Sequence, residues 1–145
     1  MDLILFLCTG NSARSQMAEG LARALGGDRV QVWSAGIAPR GVHPLAVRAM
    51  AEKGIDISGQ SSKDLSAVPR DPDVVVTLCD NAADRCPAFP GRVARVHWSL
   101  ADPAAVAGTE EERLAAFRRT RSEIESRLAA FLRERGSLAR SPGLG

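Results

Sequence analysis

Two short apolar runs, residues 3–7 and 74–78, each carry the chain straight into a cysteine, Cys8 and Cys79. Neither run alternates with polar residues, so each reads as a strand covered on both faces, the pattern of a central strand in a parallel sheet. Helical periodicity fills much of the space around them. Ala13, Met17, Leu21, Ala24 and Leu25 share one face of a stretch over 12–25, which Gly26 and Gly27 stop. Residues 30–34 predict a second strand, and Pro44 opens a helix over 44–53 that ends at Gly54. A loop is expected over 55–72, with one helical turn near 62–65, and a weaker edge strand over 93–97. Thr109 and Glu112 form a capping box ahead of a long helix. That helix carries Leu114, Phe117, Ile124, Leu128, Phe131 and Leu132 on one face and ends at Gly136.

Strands alternating with helices imply right-handed crossovers and a three-layer α/β sandwich around a four-stranded parallel sheet. With no internal repeat, residues 1–135 are expected to form one domain, followed over 136–145 by a disordered tail rich in Ser, Pro and Gly. Ligands of such sheets collect at the C-terminal ends of the strands, where Cys8 and Cys79 stand.

A chain of 145 residues is long enough to bury a core, and its formal charge of +2 is too small to argue for nucleic acid. Arg118, Arg119 and Arg121 alternate with acids and read as a solvated helix face. The apolar run at 3–7 is too short for a membrane span and has no basic residues ahead of it, as a signal peptide would. No membrane association is expected, and the protein is expected in the cytoplasm, where thiols stay reduced. Three cysteines fit a disulfide framework poorly, leaving metal binding, catalysis or plain burial.

The segment from Cys8 through Thr9, Gly10, Asn11, Ser12, Ala13, Arg14 and Ser15 leaves a buried strand and enters a helix within a few residues. So tight a loop points successive backbone N–H groups inward at a helix N-terminus, a site that favours anions. Gly10 and Asn11 are the residues best able to take left-handed angles there. Arg14 supplies a planar fork matched to a tetrahedral oxyanion. The same features should depress the pKa of Cys8 and make it nucleophilic, with the Ser15 hydroxyl adding a hydrogen bond to the sulfur. The bland alternative is a buried cysteine ahead of an ordinary helix start.

Cys8-x5-Arg14-Ser15 at the end of a first strand resembles the low-molecular-weight protein tyrosine phosphatase fold family. The fuller string from Cys8 to Gly20 resembles its thioredoxin-coupled arsenate reductase branch. Similarity continues through Trp33-Ser34-Ala35-Gly36, Ile55-Asp56-Ile57-Ser58, Val76-Thr77-Leu78-Cys79, His97-Trp98 and Asp102-Pro103, nearly the whole chain except the tail. The resemblance implies a flavodoxin-like topology and residues 8–14 as the oxyanion cradle. It further implies a relay in which Cys8 attacks arsenate, Cys79 attacks Cys8 to release arsenite, and Cys86 attacks Cys79. Thioredoxin would then return the electrons. Asp102 matches the general acid. By itself, Asp102-Pro103 is only a turn.

Cys79 and Cys86 are separated by residues that are polar or small and able to form a short helix. Cysteines seven apart on a helix are too distant for a disulfide, so this segment must unwind on oxidation, with Pro87 and Pro90 at its far edge. Inert burial, or zinc held with His43 or His97, is the competing reading, although Cys-x6-Cys is not a usual zinc spacing.

Where the phosphatase branch places aromatic residues after the Asp-Pro, this chain has Ala104 and Ala105, and it has no tyrosine at all. An aryl phosphate would lack a stacking surface, whereas a small inorganic anion needs none. The branch often has a further cysteine in the loop, where Ala13 stands here; its loss leaves the relay intact. Some members bind potassium, and the matching positions are Asn11, Glu19, Ser34 and Asp64, all oxygen donors. No tightly bound cofactor and a monomeric state are expected. Two other classes stay open: a phosphatase of small phosphate esters, and a non-catalytic oxyanion or redox sensor.

Overall fold

The computed structural model describes residues 1–89 and 91–139. Strands β1 (Asp2–Cys8), β2 (Val30–Gly36), β3 (Val74–Thr77) and β4 (Ala94–His97) form one parallel sheet in the order β2-β1-β3-β4. β1 is paired on both sides, which is why residues 3–7 carry no polar side chain: Ile4, Leu5, Phe6 and Leu7 are all essentially without solvent contact. β4 pairs on one side only and is mostly exposed, in keeping with its weaker apolar pattern.

The helices are α1 (Arg14–Gly26), α2 (Pro44–Ala51), α3 (Asp80–Arg85) and α4 (Glu110–Glu134). Helix α1 packs against β1, β2, α2 and α4 and is buried around most of its circumference. The capping box of α4 forms as expected, with the Thr109 hydroxyl accepting from Glu112 N and the Glu112 carboxylate accepting from Thr109 N. Among the described residues no helix is long and apolar enough to cross a membrane.

Strand β2 runs two residues past its expected end, to Gly36, and three larger differences from the sequence expectation have a clear physical cause. The turn in the long loop lies at Leu65–Ala67, because Asp64 takes the cap position and accepts from Ser66 N and Ser66 Oγ. Helix α2 stops two residues early, and its N-cap is the imidazole of His43, whose Nδ1 accepts from Leu45 N. The expected disordered tail is docked at its start. Gly136 takes a left-handed turn, Ser137 N donates to Leu132 O at 2.8 Å, and Ala139 N donates to Leu25 O at 2.7 Å. These bonds satisfy carbonyls that the ends of α4 and α1 leave open, so burial at 137 is backed by hydrogen bonds. Pro90 and residues 140–145, the rest of that expected tail, lie outside the described residues.

Register sets the site. Cys8 stands opposite Gly36 on β2, Leu7 opposite Thr77 on β3, and Leu78 N donates to Leu7 O at 2.9 Å. The ends of β1, β2 and β3 therefore finish in one row, with the loop after β4 beside them.

Candidate active site

The loop after β1 is held from behind by one amide. Asn11 is the only non-glycine residue with positive φ among the described residues, at +43°. Its Nδ2 donates to Ser15 Oγ (2.8 Å) and Ser34 Oγ (3.0 Å), while its Oδ1 accepts from Lys63 N (2.9 Å). Every polar atom of this buried side chain is thus occupied, which offsets the strain of the left-handed turn. Gly36 has no side chain because the loop lies against it: a Cβ there would fall 2.7 Å from Asn11 N. Of the two residues expected to take left-handed angles, Asn11 does and Gly10 does not.

Cys8 is 2 % exposed and its sulfur lies 2.9 Å from Ser15 Oγ. Because Ser15 Oγ already accepts from Asn11, its own proton is free to point at the sulfur, the arrangement a thiolate requires. Thr9 faces the other way. Asn81 Nδ2 donates to Thr9 Oγ1 at 3.0 Å, and Thr9 Oγ1 lies 3.3 Å from Cys79 Sγ, which also receives Ala82 N at 3.4 Å. One residue past the first cysteine, the loop touches the second.

Cys86 terminates α3 at the half-exposed edge of the sheet. Arg95 on β4 holds it there, with Nη1 3.1 Å from Cys86 Sγ and Nη2 donating to Pro87 O at 2.8 Å. A cavity of about 170 Å³ opens beside Cys86, lined also by Thr77, Ala83, Arg95 and His97. His97 Nε2 and Ser99 Oγ each lie 2.9 Å from Asp80 Oδ1, and these contacts lower the Asp80 carboxyl below its ordinary value. All three cysteines are free thiols. Among the described residues no three His, Cys, Asp or Glu side chains gather to hold a metal. His43 spends its Nδ1 on the α2 cap and His97 bridges Thr77 and Asp80, so neither is directed at a zinc site with Cys79 and Cys86.

A smaller cavity, about 120 Å³, opens over Cys8 and is lined by Gly10, Ser12, Ala13, Arg14, Arg40, Asp102 and Ala104. Its size suits an inorganic oxyanion better than an aryl ester, and among the described residues no aromatic ring lines it. Thr9 and Asn11 do not line it; they brace the loop. Arg14 is largely buried, donates to Leu100 O at 2.9 Å, and has its Nη2 3.9 Å from Asp102 Oδ2. The expected general acid thus lines the cavity beside Arg14. Arg40 was not foreseen from the sequence. It follows β2, the strand beside β1, and parallel register alone brings the two loops together.

Of the four expected potassium ligands, Asn11, Ser34 and Glu19 are joined in one hydrogen-bonded chain and Asp64 stands outside it. Asp64 is exposed and bonded to Ser66, Asn11 Oδ1 faces Lys63 N, and Ser34 Oγ donates to Glu19 Oε1. Glu19, 3 % exposed, already meets two cations, Arg23 Nη1 and Lys63 Nζ, the latter at 3.9 Å. Burial lowers the Lys63 ammonium from its ordinary value, with Glu19 opposing the shift.

Residues 3–141 match the family described as low molecular weight phosphotyrosine protein phosphatase. The arsenate reductase of Bacillus subtilis (strain 168) is 55 % identical over 130 residues, covering 89 % of this chain and 94 % of that protein. A solved arsenate reductase in its oxidized state superimposes with a TM-score of 0.78 at 34 % identity, covering 92 % of this chain and 98 % of the other. The thioredoxin-dependent arsenate reductase of Corynebacterium glutamicum gives 0.72 at 27 % identity, covering 92 % of this chain and 61 % of that one.

Proposed function

The chain belongs to the low-molecular-weight phosphotyrosine protein phosphatase family, and from that premise we propose that it is an arsenate reductase run by a three-cysteine relay and recharged by thioredoxin. The observation that carries this reading is the pairing of two thiols across one loop: Cys8 against Ser15 on one side, and Thr9 against Cys79 on the other. A phosphatase needs only the first of these.

In the first step the Cys8 thiolate attacks arsenic, Arg14 holds the equatorial oxygens, and Asp102 protonates the oxygen that departs as water. Cys79 then attacks the Cys8 sulfur. The electron pair of the sulfur–arsenic bond passes to arsenic, which leaves as arsenite, and a Cys8–Cys79 disulfide forms. Cys86 attacks Cys79, freeing Cys8 and moving the disulfide to the sheet edge. There a thioredoxin dithiol reduces it and supplies the two electrons.

The test is arsenite formation from arsenate with thioredoxin, thioredoxin reductase and NADPH, run on the wild type and on Cys8→Ser, Cys79→Ser and Cys86→Ser. Each variant should lose multiple turnover, and Cys86→Ser should still release about one arsenite per chain. If Cys79→Ser turns over arsenate as the wild type does, the relay is wrong. A phosphatase of small phosphate esters is the second reading, favoured by the same Cys8 cradle. It predicts that ester cleavage is the main activity and survives Cys79→Ser.

A further inference from the structure

We propose that Arg40 determines which anions the Cys8 cavity accepts, supplying the second positive charge that selects doubly charged tetrahedral oxyanions over singly charged ones. The inference rests on the cavity being an oxyanion site, as the proposed function requires, and names the charge class of its substrate. Among the described residues two guanidinium groups line the cavity, Arg14 and Arg40. The Arg14 guanidinium already has two protein partners, Leu100 O at 2.9 Å and the Asp102 carboxyl group at 3.9 Å. A dianion facing Asp102 and the Cys8 sulfur with Arg14 alone would sit in a site short of positive charge. Arg40 is exposed at the rim, and among the described residues no carboxylate lies within ion-pair distance of it.

Its position is built rather than incidental. Arg40 N donates to Gly10 O at 2.9 Å, which ties the loop after β2 to the loop after β1. The guanidinium turns its Nε–Nη2 edge toward Gly10: a Cβ there would stand 2.8 Å from Arg40 Nε, 3.0 Å from Nη2 and 3.3 Å from Cζ. Since Gly10 does not need a left-handed backbone, its missing side chain serves to seat Arg40 over the cavity. Contacts of an arginine fork to a tetrahedral anion are charge-assisted and directional, so charge and geometry both contribute.

Protection of Cys8 from iodoacetamide, an uncharged reagent, reads anion affinity whether or not the chain reduces arsenate. The probes are sulfate, with two charges, and methanesulfonate, a tetrahedral anion with one. Arg40→Ala should weaken sulfate protection about tenfold and methanesulfonate protection about threefold or less. Arg40→Lys should recover part of the difference. In arsenate turnover, Arg40→Ala should raise KM about tenfold with kcat nearly unchanged. Equal weakening of both anions, or no weakening, overturns the role of Arg40. Protection that distinguishes the two anions in a protein that makes no arsenite upholds Arg40 and sinks the reductase reading instead.

Discussion

The proton on Ser15 has one useful destination. Asn11 Nδ2 occupies one lone pair of Ser15 Oγ at 2.8 Å, and the Cys8 sulfur is 2.9 Å away on the other side. Serine at this position is therefore a donor to sulfur, and the Asn11 amide enforces it. Ser15→Ala removes one hydrogen bond to a charged acceptor, worth roughly 1.5–3 kcal/mol. Alkylation of Cys8 by iodoacetamide at neutral pH, in a Cys79→Ser, Cys86→Ser background, should slow about 10- to 100-fold. An unchanged rate would mean that the hydroxyl does not serve the sulfur. This contact could be anticipated from the sequence, because Cys8, Arg14 and Ser15 sit on one tight loop where spacing dictates geometry. Arg40 could not be. It meets the loop through strand register 30 residues away, and nothing local in Pro39-Arg40-Gly41 marks it as a pocket residue.

Helix α3 is the element the relay must break. It has six residues between Cys79 at its N-cap and Cys86 at its C-cap. At about 1.5 Å rise per residue the two cysteines stand about 10 Å apart along the axis, whereas disulfide-bonded Cα atoms are about 4.4–6.8 Å apart. Only Ala82 of the helix is buried, so unwinding sacrifices little packing. What holds the segment is polar: Asn81 to Thr9, Asp80 to His97 and Ser99, and Arg95 to Cys86 and Pro87. Oxidation to the Cys79–Cys86 disulfide should raise amide hydrogen exchange across residues 80–89 while leaving β1 and α4 at their reduced rates. Protection that persists at 80–86 in the oxidised protein would rule out unwinding. A short helix was foreseeable from the small and polar residues between the cysteines. Its tether was not, because the Arg95 clamp comes from β4, an edge strand whose exposed side chains carry no periodic signal. The same limit explains the shifted turn at 65–67: a single side-chain cap from Asp64 decides its place.

Two groups make the packing of α2 on α4 sensitive to acid. Glu52 accepts from Arg118 and Arg121 of α4, and those guanidinium contacts hold its carboxyl at about 2. The lowered carboxyl stabilises the fold above its ordinary value of 4.5, and that contribution is lost as pH falls from there toward 2. Its side chain is 36 % exposed, so solvent screening limits the effect to about 1 kcal/mol. His43 acts in a milder range. Burial lowers its imidazole below 6.5, with Arg113 adding to the shift and Asp102 opposing it. The unfolded chain therefore takes up a proton before the folded one, and stability falls as pH drops through 6.5. His43 also ties three parts together: its Nδ1 caps α2, its ring packs 4.8 Å from Phe117 of α4, and its backbone N donates to Ser12 O in the loop. Protonation removes the lone pair that accepts from Leu45 N, and the strain falls on residue 12 of the anion cradle. His43→Asn keeps a capping acceptor that does not titrate. Between pH 7.5 and 5.5 the wild type should lose more thermal stability than His43→Asn, and sulfate protection of Cys8 should weaken in parallel. Equal losses in the two proteins would show that the imidazole is not the group that senses acid.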